Sequence, residues 1–401
     1  MSGEEYYKLV DPLTFPLLKF GDMFSDESWG IWIEPPQKQR KYLRRSPEFH
    51  DDPDKCKVFE NLDSVIVTYP PVGIIKANDV LLSGFRSYVA NNLVFNDELD
   101  WHDGKFEQQL FRFASPDEHR NERSGLRPVD GRNALHFDPA SRKVVEIAEP
   151  VIPLCSDEPE NYGSFIFRVL PKIASIQQLP TTYKVLVGAK HDSMKALLGI
   201  FGISKDRIIL HDDRVIYKLR RALIPTNRNP HAFLDEATVG IFSRVRAKFT
   251  TTGGRRIFIS RKSLSSTAAG YRALVNADAL GEALERLGFE TVFPERLSAE
   301  EQIEVFANAS IVVGQSGAAM FNVAFSHPGT IVVDIESEGH WIHAHLCLFS
   351  SLGLRTVIFE GMAIKREDRD IHLPLAVNVD AVVSRVQSLV LLEQVSAGVN
   401  L

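Results

Sequence analysis

Four groups of residues in this 401-residue chain have types and spacings that can do chemistry. The first is Gly314-Gln315-Ser316-Gly317-Ala318-Ala319, which follows the apolar run Ser310 to Val313. Small residues let backbone N–H groups close on an anion, and a helix starting there adds its dipole. The loop is neither G-x-G-x-x-G nor a P-loop with its Lys, so a plain strand-to-helix turn fits it as well. The second group is Arg261-Lys262, directly after the strand-like RRIFIS. An Arg at a strand end can form a bidentate pair with a diphosphate, and a solvated loop cation is the bland alternative. The third is Asp334 and Glu336, which close TIVVDIE on one face of a strand by its period of two. A carboxylate there can bind a ribose diol, or simply end a strand in solvent. The fourth is a set of titratable clusters. His340, His343 and His345 lie in GHWIHAH, and His211, Asp212 and Asp213 end another strand. His-x-His on a strand turns two imidazoles to one face, as a metal site would. No third ligand with recognisable spacing accompanies them, so hydrogen bonding is the better reading and no metal is expected. The His-Asp-Asp cluster offers a general base or, more simply, a charged turn.

These groups need elements to hold them at one edge. From Arg255 onward the pattern reads strand 255–260, helix 277–287, strand 290–293, helix 299–309, strand 310–313, helix near 319–326 and strand 330–335. Strand and helix in alternation imply a parallel sheet, whose strand carboxyl ends face a ligand crevice. Ser298 with Glu301 forms a capping box, and Asn276 is a plausible cap for the helix at 277. Upstream, NYGSFIFRVLPKIASIQQL sets Phe165, Val169, Ile173 and Ile176 at helical spacing, with Pro171 inside to kink or restart the helix. Strands follow at 183–187, 207–210, 215–217 and 222–224, with a helix at 193–198. Pro225, Pro230 and Gly253-Gly254 mark a boundary region. We therefore expect two α/β domains, 1–240 and 241–401, with residues 1–150 irregular or β-rich.

The formal charge of −6 argues against a general nucleic-acid binder, although Tyr217 to Arg228 is locally basic. Three cysteines, Cys56, Cys155 and Cys347, make no disulfide framework and suit a reducing compartment. The first residues lack a secretory pattern, and no apolar run reaches the ~18 residues of a membrane span. A cytoplasmic protein is expected, with peripheral membrane contact left open.

At NYGSFIFRVLPKI, FISRKS, FPERLSAEEQIEVFANASIVVGQSGAAMFNVAF and PGTIVVDIE the chain resembles glycosyltransferase family 61. HAHLCLFSSLGL looks like bacterial polysaccharide-associated members. The resemblance runs from about Asn161 to Gly361 and implies a GT-B fold, two Rossmann-like domains facing a cleft. It implies an inverting transferase that works without a bound metal and has no cofactor beyond its donor. That donor is a nucleotide sugar, expected to be UDP-linked, held by the carboxyl domain. The amino domain takes a glycan or lipid-linked acceptor. Carried over by position, Arg261, Gly314, Ser316, Gly317 and Asn322 fall in the donor site, with Lys262 and Glu336 beside them. Asp334 stands where the family usually has Glu.

The departures bear on catalysis. Family members usually carry His at the position of Ser164, an acid at Arg168 and His at Ser316. Ser164 and Arg168 lie one helical turn apart and would share a face. Without those groups the base falls to Asp212, Asp213 or His231, or Arg168 reads an anionic acceptor. A catalytically inactive binding or scaffold protein is the second reading, and a nucleotide-sugar epimerase of the same architecture the third.

Overall fold

The computed structural model describes residues 6–35, 40–50, 62–99, 125–129, 134–139, 142–229, 232–251, 253–262, 272–336, 342–367 and 372–398. The fold is mixed α/β and divides into two compact units. Unit 1 comprises 1–41 with 68–230, and unit 2 comprises 42–67 with 231–401.

Unit 1 is built on a twelve-stranded mixed sheet. Its argument-bearing strands are β1 (Gly73–Ser83), β2 (Val144–Ile147), β3 (Val151–Leu154), β4 (Lys184–Val187), β5 (Ile208–Leu210) and β6 (Ile216–Pro225). The order β5-β4-β3-β6 is parallel throughout, and β2 also runs parallel to β6. Parallel pairing follows from the helical crossovers. α1 (Lys172–Ile176) lies between β3 and β4, and α2 (Asp192–Ile200) between β4 and β5. Beyond β6 the sheet turns antiparallel, with Tyr217 opposite Leu82 and Pro225 opposite Ile74. Unit 1 therefore carries a parallel block of the expected kind inside a larger mixed sheet. Ile75, Ala77, Val80, Leu82, Val151, Leu186, Leu219 and Ala222 pack in one core.

The helix over NYGSFIFRVLPKI breaks at Pro171, as its chemistry requires. Phe165–Val169 is a π-helical turn, closed by Leu170 N donating to Phe165 O at 3.0 Å. Pro171 has no N–H for the carbonyl of Phe167. The amide of buried Asn229, just beyond β6, donates to that carbonyl instead, at 3.1 Å. One side chain thus ties the helical turn to a strand end.

Unit 2 holds a six-stranded sheet in which every pairing is parallel. Its strands are β7 (Arg255–Ile259), β8 (Glu290–Val292), β9 (Ala309–Gln315), β10 (Ile331–Glu336) and β11 (Arg355–Glu360), in the order β8-β7-β9-β10-β11, with Phe49–His50 outside β11. The helices are α3 (Glu236–Arg246), α4 (Ala277–Glu285), α5 (Ala299–Ala307), α6 (Ile342–Leu352) and α7 (Val379–Gly398). Phe258, Val313, Val333, Val357 and Phe359 pack with Leu280 and Leu284 of α4 and Val382, Val386 and Leu389 of α7. Ile358, one residue out of phase, packs with Ile342 and Leu346 of α6. A sheet covered on both faces explains why β9 and β10 read as nearly unbroken apolar runs.

The capping box forms as expected. Ser298 N donates to Glu301 Oε2 at 2.8 Å and Glu301 N to Ser298 Oγ at 3.2 Å. Asn276 does not cap α4 with its side chain. Its amide instead bonds Val377, donating to the carbonyl at 2.7 Å and accepting from the N–H at 3.2 Å. The segment after the Gly loop is a 3-10 helix, Ala318–Phe325, rather than an α-helix. Its residues Met320 to Phe325 are all buried, and the tighter winding packs them between neighbouring helices. Replacing Ser298 by Ala should lower the stability of unit 2 by about 1 kcal/mol, which urea denaturation followed by circular dichroism will measure.

Candidate functional site

The polar residues of unit 2 collect at the carboxyl ends of β7, β9 and β10. Arg261 and Lys262 follow β7, Ser316 and Gly317 follow β9, and Asp334 and Glu336 lie in the last half of β10. Parallel pairing sets Gly314 beside both Ile259 and Asp334, so the three strand ends stand level. This edge is where open α/β sheets bind ligands.

The Gly loop is held by charge on two sides. Its Ser316 carbonyl accepts from Arg272 Nη2 at 2.8 Å and lies 3.5 Å from Arg261 Nη1. Arg272 is nine-tenths buried, and Gln315 Nε2 donates to its carbonyl at 2.6 Å. Two guanidinium groups thus meet at one backbone oxygen. Gly317 makes this possible. Its φ is +150°, and a Cβ built there would lie 2.6 Å from Arg261 Nη1. Gly314 has no space for a side chain either, with Met320 Sδ 2.9 Å and Ile259 Cβ 3.0 Å from a built Cβ. Beside the arginines is a cavity of about 140 Å³. Ile259, Leu274 and Val275 give it apolar walls, and Arg261, Lys262, Asp278 and Gln315 give it a polar rim. Lys262 bonds Asp278 at 2.7 Å, an exposed pair of little energetic weight.

On the other side of the loop, Ser316 Oγ donates to Asp334 Oδ1 at 2.7 Å, and Asp334 Oδ2 lies 2.7 Å from His345 Nδ1. All three side chains are wholly buried. Both oxygens of Asp334 are therefore engaged inside the protein, where the sequence reading set them toward a ribose. Glu336 is buried as well. Asn322 is buried and donates to Gln302 Oε1 of α5 at 3.1 Å, which anchors the 3-10 segment. The His-x-His pair sits on the helix α6, not on a strand, so its two rings go separate ways. His343 bonds Arg44 at 2.7 Å, and burial, then the Arg44 charge, lower its pKa. His340 lies outside the described residues, among which no group of three or more His, Cys, Asp or Glu is placed to hold a metal.

In unit 1 the sequence candidates separate. Asp212 is a half-buried turn residue whose oxygens take the Arg214 guanidinium at 2.9 and 3.1 Å, and that bond lowers its pKa. Asp213 is buried, 3.9 Å from Lys190. His231 lies outside the described residues. Arg168 enters a network at the carboxyl end of β3 that the sequence reading missed. It pairs with Asp157 and stands 3.8 Å from Glu158, which accepts from Ser164. Arg86 reaches Asp97 at 2.7 Å, Glu98 at 2.6 Å and Asp157 at 3.4 Å. Lys172 pairs with Asp97 and donates to the Cys155 carbonyl at 2.8 Å. Burial works against the Arg86 charge, but Asp157, Glu98 and Asp97 outweigh it and raise its pKa. Burial pushes the Cys155 thiol up to about 12, which leaves it protonated and inert. The available signal was position. Asp157 and Glu158 come soon after the apolar strand VIPL, past Cys155 and Ser156, and Lys172 interrupts an apolar helix face. Arg272 had no comparable signal, since it reaches the loop from a separate segment, and His345 was visible in GHWIHAH without its partner Asp334.

The cations and the glycine loop thus stand together at parallel strand ends of a mixed α/β chain. The family model described as Glycosyltransferase 61 matches residues 162–333, so that stretch is similar to glycosyltransferase family 61. The match runs from the helical turn carrying Arg168 to the middle of β10. No curated protein matches the chain.

His211 yields a pH prediction. Burial above all, against the pull of Asp213, lowers its pKa from 6.5 to about 4. Above pH 6.5 the imidazole is neutral in both folded and unfolded chains. As pH falls from 6.5 to about 4 only the unfolded chain gains the proton, so stability drops through that window and levels off below it. The contribution is at most roughly 3 kcal/mol. A pH series of urea unfolding on wild type and His211→Phe should show this component lost in the variant.

Proposed function

We propose that the chain is an inverting glycosyltransferase of GT-B type that moves a hexosyl or pentosyl group from a nucleotide sugar to a glycan or glycolipid acceptor. Unit 2 takes the donor and unit 1 the acceptor. The observation that carries this reading is the meeting of Arg261 and Arg272 at the Ser316 carbonyl beside Gly317. Two cations at a strand end suit the two phosphates of a nucleoside diphosphate. The 140 Å³ cavity next to them is small against the ~300–1,000 Å³ of a whole ligand pocket and suits one ring of the nucleoside.

In this reading an acceptor hydroxyl attacks the anomeric carbon and its proton passes to a base. The new C–O bond forms as the bond to the diphosphate breaks, and the electron pair leaves with the diphosphate. Arg261 is the group that meets the charge developing there, a role of the kind worth ~10²–10³ in turnover. The donor is a UDP sugar, no metal is needed, and the setting is cytoplasmic assembly of a bacterial surface polysaccharide.

A thermal-shift panel of UDP, GDP, CMP, dTDP and their sugars tests the donor site. One nucleotide class should stabilise the fold by ~2.7 kcal/mol at ~100 times its Kd, unchanged by EDTA. No shift with any nucleotide would sink the reading. Arg261→Ala should cut nucleoside diphosphate release about 10²–10³-fold with the melting temperature kept.

A second reading, a binding protein without transfer activity, is favoured by one observation. Ser164 and Arg168 are taken up by Glu158 and Asp157. It predicts nucleotide binding with no turnover for any acceptor tried.

A further inference from the structure

We propose that His345 is a positioning residue for the anion loop, acting through Asp334 and Ser316. The proposal rests on the reading of that loop as a diphosphate site.

The argument begins with a carboxylate that has no access to water. A buried carboxylate must be met by donors, and among the described residues those of Asp334 are the Ser316 hydroxyl and the His345 ring. The ring nitrogen 2.7 Å from Asp334 Oδ2 therefore carries the proton. That leaves Nε2, which has no hydrogen-bond partner among the described residues and sits in a ring set of Phe321 and Phe349, with centroids 5.0 and 5.4 Å away. A bare lone pair there costs less than an unpaired N–H, so the neutral Nδ1–H tautomer is the one assigned by the network.

Ser316 passes this on to the loop. Its N–H donates to the Ile335 carbonyl at 2.9 Å, and its hydroxyl donates to Asp334. Two bonds on the β10 side fix the residue, and its carbonyl is left to Arg272 and Arg261. The oxygen that gathers both guanidinium groups is thus oriented by the same serine that the Asp334–His345 pair holds. Removal of the imidazole N–H leaves Asp334 with the hydroxyl alone. The carboxylate then rotates, Ser316 loses its fixed rotamer, and the arginines lose their shared acceptor.

The test compares wild type with His345→Asn and His345→Leu. Asn sets an amide donor at the position of Nδ1, and Leu keeps apolar bulk without a donor. Calorimetric titration would use UDP, GDP, uridine, guanosine and inorganic pyrophosphate. We expect His345→Leu to weaken the diphosphates about tenfold or more, a shift of ~1.4 kcal/mol. His345→Asn should stay near wild type, and nucleoside affinity should hold in both. Val386→Ala in α7 serves as a stability control, with a lowered melting temperature and unchanged affinity. Should His345→Leu not fold, Ser316→Ala breaks the same relay one bond later and should weaken diphosphates alike. Wild-type affinity in the Leu variant, equal weakening in Asn and Leu, or equal loss of nucleoside affinity each overturns the proposal. Failure of the wild-type chain to bind any diphosphate overturns the donor-site reading, and this proposal with it.

Discussion

A carboxylate sealed at the end of a central strand constrains the whole of unit 2. Asp334 sits in β10, flanked by β9 and β11 and covered on both faces. An ion in such a place is tolerated only if donors reach it from inside. The donors come from the loop after β9 and from α6, so the sheet register, the loop and the helix are locked to one another. The helices on the other face pack apolar side chains on the sheet, with polar links farther from this edge, where Glu393 of α7 pairs with Arg256 of β7 at 2.9 Å and Glu285 of α4 accepts from Thr291 of β8 at 3.2 Å.

The same edge explains the loop composition. A residue with a side chain at position 317 would displace Arg261, and one at 314 would strike Met320 and Ile259. The small residues are there to let other side chains approach the backbone. This differs from a loop that opens its N–H groups to a ligand. Here the carbonyl of Ser316 collects the guanidinium groups of Arg272 and Arg261.

Much of unit 2 was legible from its residues because local signals agreed. The Ser298–Glu301 box, the apolar runs of β9 and β10 and the glycine at 317 each have a short-range cause. What failed had a long-range one. Asn276 looked like a cap, but a segment a hundred residues later claimed its amide. The expected helix after the loop became 3-10 because its apolar residues are enclosed. GHWIHAH read as hydrogen-bonding histidines, but the acid that His345 meets lies in another element, toward which α6 turns it. In unit 1 the mixed sheet and the Arg86–Asp97–Lys172 network depend on which distant strands meet, which no window of sequence contains. Arg168 itself was visible as an oddity, but its partners Asp157 and Glu158 were not.

Phe49–His50 pairs with β11 of unit 2, more than three hundred residues downstream, and Glu48 bonds Arg355 at 2.8 Å. Residues 42–67 belong to unit 2 although the chain on either side of them belongs to unit 1. On a ribosome, then, this edge strand of the second sheet emerges long before β11 and must wait for it. Contacts of such sequence separation close slowly. The amino-side unit must be able to form around a loop whose own sheet does not yet exist. Neither unit can be recovered whole by cutting the chain once.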